Sequence, residues 1–174
     1  MFGAPCGCRP GFAVCDPLGP TNAKTQTCDS APYECLRFLC QAMTLRILIA
    51  DDNAQFLRKT ASILEIEFEV VATAADGQSA LDGIRICRPD VVVLDLEMPF
   101  LNGIDVTREL THLNPSPKAI ICSVETDPEI VEAALAAGAM GYVFKSRIET
   151  DLVAAVQSVA CGQMFVSPSD TFRS

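Results

Sequence analysis

Residues 45–53 read LRILIADDN, and residues 90–103 read DVVVLDLEMPFLNG. In both, a short apolar, β-branched run breaks off into carboxylates: Asp51 and Asp52 after the first, Asp95 at the end of the second. A run of four to six residues with no polar face belongs to a strand covered on both sides, as in the middle of a parallel sheet. Parallel neighbours need long crossovers, and the intervening sequence has helical spacing. The stretch 54–65 brings Phe56, Leu57, Ile63 and Leu64 as apolar contacts, and EVVATA (69–74) is a further strand. Gly77 leads into a helix through Cys87, which Pro89 stops, and Gly103 opens another that runs to about Leu113, before Asn114, Pro115 and Pro117.

KAIICS (118–123) and GYVF (141–144) are the last two strands. Between them Thr126-x-x-Glu129 has the pattern of a capping box, Pro128 suits a first turn and Gly138 supplies the stop. The final helix covers about 149–161, with Leu152, Val153, Val156 and Val159 on one face and Gly162 beyond it. Five strand–helix units in about 120 residues predict an α/β fold, an open, doubly wound (βα)5 sandwich around a parallel five-stranded sheet. They are too few for a closed eightfold barrel.

Composition narrows the function. Among 174 residues, 13 Lys and Arg stand against 22 Asp and Glu, a net charge of −9. Such a balance argues against direct nucleic-acid binding and against a polybasic membrane anchor. No apolar run reaches the length of a spanning helix. The segment 1–42 is different material: it is net neutral, and holds six of the nine Cys and five of the eleven Pro without a sustained period. It reads as a loosely ordered extension. Its cysteines lack the pair spacing of a zinc site, and no signal-peptide pattern directs them to an oxidising compartment. Met43, directly before the first regular element, is a plausible start of translation.

The polar residues that end the strands are Asp51 and Asp52, Asp95, Ser123 and Lys145. All fall at carboxyl ends, the edge where open α/β sheets bind ligands. Three neighbouring carboxylates repel one another, and a hard divalent cation such as Mg2+ relieves that conflict while accepting phosphate oxygens. Three Asp, Mg2+ and Lys145 sum to zero charge, leaving the hydroxyl and the ammonium as donors to an arriving phosphoryl group. One carboxylate can be the nucleophile.

RILIADDN, VVVLDLEMPFLNG, IICS and GYVFK, in this order and spacing over residues 45–165, resemble the receiver domain of two-component response regulators. The likeness is greatest to the subfamily that usually carries a LuxR-type DNA-binding helix-turn-helix. The resemblance implies a flavodoxin-like strand order 2-1-3-4-5 and phosphorelay signal transduction in the cytoplasm. Asp95 would be the phosphoacceptor, taking its phosphoryl group from a phosphohistidine on a partner sensor histidine kinase. Asp51, Asp52, Asp95 and the main-chain carbonyl of Glu97 would hold Mg2+. Ser123 and Lys145 would engage the phosphoryl oxygens, and Tyr142 would be the switch aromatic that turns inward as Ser123 moves. Output would pass through the face of the fourth helix, fifth strand and fifth helix. The family also allows homodimers, through helices one and five or through the fourth-helix face. Such a chain is no enzyme beyond catalysing its own phosphorylation and dephosphorylation.

Ser146 stands where most receivers have Pro, in keeping with the subfamily, and Val124 is bulkier than the small residue common after the hydroxyl, which would crowd the phosphoryl pocket. Only 29 residues follow Lys145, too few for a helix-turn-helix, so 43–165 reads as the receiver and 166–174 as a linker remnant. A receiver-like scaffold that is never phosphorylated is the rival reading. A haloacid dehalogenase-type phosphatase is disfavoured because the acid pair precedes the lone Asp. His112, the single His, reads as exposed, and Cys87, Cys122 and Cys161 as small core residues.

Overall fold

The computed structural model describes residues 44–168. The expectations for residues 1–42 and for a start at Met43 lie outside the described residues, as does the end of the expected linker. The elements are β1 (Arg46–Ala50), α1 (Ala54–Leu64), β2 (Glu69–Ala74), α2 (Gly77–Cys87), β3 (Val91–Asp95), α3 (Gly103–Leu110), β4 (Lys118–Ser123), α4 (Pro128–Ala136), β5 (Gly141–Phe144), α5 (Ile148–Ala160) and β6 (Phe165–Val166). A short 3-10 turn, Lys145–Arg147, joins β5 to α5. The sheet runs β2-β1-β3-β4-β5-β6, all parallel.

Alternation along the strands divides the core in two. Leu48, Val92, Leu94 and Ile121 meet α2, α3 and α4 through Leu81, Ile84, Val106, Leu110 and Ala134. Ile47, Ile49, Val93, Ile120 and Val143 meet α1 and α5 through Leu64, Leu152, Val156 and Val159. Every residue of β3 is buried, because helices cover both faces of this central strand.

The order 2-1-3-4-5 is the one the resemblance implies, and the sheet gains a sixth strand where a linker was expected. Phe165 and Val166 pair with Gly141 and Tyr142. Ser167 then donates its N–H to the Tyr142 carbonyl at 2.9 Å. Helix α4 starts one residue later than the capping-box pattern suggests. Asp127, not Thr126, caps it, accepting from the Glu129 N–H at 2.9 Å. The reason is Pro128: its fixed φ and missing N–H suit the first helical position, which makes Asp127 the cap. Gly138 (φ 107) and Gly162 (φ 83) follow α4 and α5 in the left-handed conformation that terminates helices. In α5 the buried face is Leu152, Ala155, Val156 and Val159, with Val153 only half-buried. Cys122 is buried and Cys87 half-buried, but Cys161 is exposed, because it sits beyond the last turn of α5.

Candidate functional site

Parallel strands of similar length end together, so the sheet's carboxyl edge gathers the residues at the ends of β1, β3, β4 and β5. Asp51 leaves β1 buried, Asp52 comes next and is exposed, and Asp95 is the buried last residue of β3. One carboxylate oxygen from each lies within 4.8 Å of the others. The three acids therefore form one cup, as their positions in the sequence predict. Lys145 closes it, with Nζ 2.8 Å from Asp51 Oδ2 and 2.8 Å from Asp95 Oδ2.

Local hydrogen bonds hold these groups. The Asn53 N–H donates to Asp51 Oδ1 at 2.8 Å. The Asn53 side chain in turn accepts from the N–H groups of Gln55 and Phe56, at 3.0 and 3.2 Å, and so caps α1. One residue thus aims the acid and starts the helix. On the other side the backbone turns sharply after Asp95. Phe100 is left-handed (φ 68) and 87% exposed, and the Leu101 N–H bonds the Pro99 carbonyl across it at 2.8 Å. A bulky residue in that conformation is strained, and such strain collects at functional loops. Glu97 is exposed in this loop. Together with Asp52, Met98, Glu125 and Ile130 it borders an open groove of about 670 Å³ beside the cup.

Ser123 is the buried last residue of β4, and its Oγ accepts from the Glu125 N–H at 3.0 Å. Tyr142 is fully buried in β5. Its hydroxyl donates to the Glu125 carbonyl at 3.1 Å, and its ring meets Phe144 edge-on, centroids 5.7 Å apart. Glu125, unremarked in the sequence, thus ties the hydroxyl and the aromatic to one residue's backbone. Val124 is 68% exposed, so most of its bulk faces solvent rather than crowding the cup. His112 is exposed, as read from the sequence.

Electrostatics follow from burial and pairing. Burial raises the Asp95 carboxyl above the usual carboxylate range, with Asp51 adding to the rise and Lys145 opposing it. Burial alone would lower Lys145, but its hydrogen bonds to Asp51 and Asp95 outweigh that and leave the ammonium raised. Two buried acids sharing one cation beside a third acid leave the cup over-negative, a deficit a divalent cation would correct.

Two further residues, Asn53 and Phe56, belong to the site. Asn53 could have been found, since an Asn between an acid pair and a helix is a capping signal. Phe56 could not, because its ring lies over the Lys145 ammonium, 4.4 Å from Nζ, across the fold.

Residues 47–157 match the family model described as the response regulator receiver domain, and the chain belongs to that family. It is 36% identical over 129 residues to the transcriptional regulatory protein DegU of Brevibacillus brevis, covering 73% of this chain and 55% of that one. It is also 33% identical over 120 residues to the chemotaxis protein CheY of Thermotoga maritima, covering 68% of this chain and 99% of that one. Among solved structures, the signal receiver domain of the putative response regulator NarL from Mycobacterium tuberculosis aligns with a TM-score of 0.67 at 31% identity. That alignment covers 69% of this chain and 98% of the other. A LuxR-family response regulator from Aurantimonas sp. SI85-9A1 aligns with a TM-score of 0.69 at 32% identity, over 72% of this chain and 91% of that one. The chain spans 55% and 59% of the length of the first curated relatives it matches. No helix among the described residues is long and apolar enough to cross a membrane.

Proposed function

We propose that this receiver accepts a phosphoryl group on Asp95 from the phosphohistidine of a sensor histidine kinase in the cytoplasm, and that the aspartyl phosphate drives a conformational switch. The observation that carries the reading is the cup itself: three carboxylates within 4.8 Å of one another, two of them bridged by one half-buried ammonium. Such a set suits Mg2+, with Asp51, Asp52, Asp95 and the Glu97 carbonyl as the protein's ligands. When bound, the ion would supply charge neutralisation for the incoming phosphoryl oxygens.

The chain's own residues account for the rest. An Asp95 carboxylate oxygen attacks phosphorus while the bond to the donor's imidazole nitrogen breaks, so the phosphoryl group changes partner without net hydrolysis. Lys145, already on Asp95, pairs with a phosphoryl oxygen. Ser123 exchanges its Glu125 N–H contact for another phosphoryl oxygen. Because Glu125 also holds the Tyr142 hydroxyl, this movement is felt by the aromatic, and through β5 by the α4–β5–α5 face. Phosphorylation takes Asp95 from about −1 to roughly −2, so groups that answer it must move inward.

Exposure to acetyl phosphate with Mg2+ tests the assignment. Intact mass should rise by one phosphoryl group, and not in Asp95→Ala or in excess EDTA. Absence of an Asp95-dependent gain would leave the scaffold reading in its place.

A further inference from the structure

We propose that Phe56 is a positioning residue of the acceptor site: its aromatic face holds the Lys145 ammonium where the oxygens of a phosphoryl group on Asp95 will lie. The proposal rests on the phosphoacceptor reading of Asp95 and adds a residue to it.

The Lys145 ammonium has three N–H bonds. Asp51 Oδ2 and Asp95 Oδ2 each lie 2.8 Å from Nζ, and the Phe56 ring centroid lies 4.4 Å from it. That distance is inside the range at which a ring face attracts a cation. The Lys145 side chain is only 12% exposed, so this attraction acts with little competing water. Phe56 belongs to the first turn of α1, whose cap Asn53 also binds Asp51. The ring is half-buried against the core layer under α1 and α5, which limits its freedom.

The two kinds of contact behave differently during the reaction. Both carboxylates change partners once a cation and a phosphoryl group enter the cup, so neither can serve as a constant anchor for the ammonium. The ring carries no charge and takes no part in that exchange. Its attraction is also less directional than a hydrogen bond, so the ammonium can slide from carboxylate to phosphoryl oxygen without losing it. The ring keeps Lys145 over the site while its anionic partners are replaced.

Site-specific replacement of Phe56 by mono-, di- and trifluorophenylalanine tests this, since fluorine drains the ring face of negative potential with little change of shape. The rate of Asp95 phosphorylation by phosphoramidate with Mg2+, a donor that makes no kinase contact, should fall stepwise along the series. About a three- to tenfold loss is expected for the trifluoro ring, with Phe56→Trp retaining the normal rate. Phe56→Leu should lose a similar factor at a near-normal melting temperature. A gain of the phosphoryl group whose rate is flat across the fluorinated series would overturn the proposal alone. Failure of the unsubstituted protein to gain it would overturn the phosphoacceptor reading and the proposal together. The contact has a readout of its own in the unphosphorylated protein: the Lys145 ε-methylene protons should be shifted upfield by the ring current, and normally placed in Phe56→Leu. Unshifted protons in the unsubstituted protein would also overturn the proposal.

Discussion

Gly103 and Asp95 meet main chain to main chain: a Cβ added at Gly103 would overlap the Asp95 carbonyl oxygen. The Gly103 N–H also donates to the Leu96 carbonyl at 2.9 Å, so the first turn of α3 is folded onto the end of β3. The position of Asp95 at the end of β3 thus depends on a residue with no side chain.

Gly103→Ala should therefore cost about 2–3 kcal/mol of stability, because backbone rather than a flexible side chain must yield. Gly162→Ala is the comparison. Its φ of 83 also disfavours a side chain, but nothing lies within 4 Å of the added carbon. The loss there should be about 1 kcal/mol. Urea unfolding of both variants would measure the difference, and an equal loss would contradict the close-approach argument.

Asp95→Asn should stabilise the metal-free protein at neutral pH. A carboxyl whose pKa is raised on folding binds its proton more tightly in the native state. Stability therefore falls as pH climbs from the ordinary carboxylate range through the folded value. The amide removes that loss. Melting in EDTA should give the Asp95→Asn variant the higher midpoint near pH 7, and the gap should close when the pH falls below the carboxylate range. Added Mg2+ should raise the midpoint of the unsubstituted protein more than that of the variant.

Lys145→Met should act in the opposite direction, leaving Asp51 and Asp95 to face each other without a cation. Because the ammonium's pKa is raised on folding, its contribution is fully present below the ordinary lysine range and lost as pH rises through the folded value. The unsubstituted protein should thus be more stable than the Lys145→Met variant near pH 7 in EDTA, the gap narrowing in strong alkali. Added Mg2+ should rescue the variant. Equal midpoints in EDTA would mean the bridge contributes nothing.

Asp151 anchors the C-terminal strand. Its carboxylate accepts from Arg147 Nε at 2.8 Å and from Thr150 Oγ1 at 2.7 Å, and Ser167 also bonds it. Burial alone would raise its pKa, but these donors outweigh it and hold it low. Its contribution is therefore present above the carboxylate range and lost as pH falls through it. Asp151→Asn should cost roughly 1–3 kcal/mol at pH 7, and the cost should shrink as the pH falls through the carboxyl's lowered folded value. Hydrogen exchange should show β6 loosening before the rest of the sheet.

The strands were legible because burial on both faces leaves a run such as Val91–Leu94 without polar residues, and the helices because their stops are proline and glycine. The acids of the cup were legible for a related reason. In a parallel sheet, position along the chain after an apolar run is also position in space, at the carboxyl edge. The strand Phe165–Val166 was not legible because two residues give too little length for alternation to register. Thr126 looked like a cap since its pattern is local, whereas Pro128 decided the matter one residue further on.

From the order of its residues alone, this chain was committed to a doubly wound sheet with three carboxylates, a hydroxyl and an ammonium at one edge. Periodicity and chain terminators act over a few residues, so they can be read without coordinates. Folding settled which of those groups touch: Lys145 lies between Asp51 and Asp95, Phe56 lies over Lys145, and the Glu125 backbone is shared by Ser123 and Tyr142. Most of these contacts join residues that are distant along the chain, and they depend on distances of a few ångströms that packing sets and no local pattern encodes.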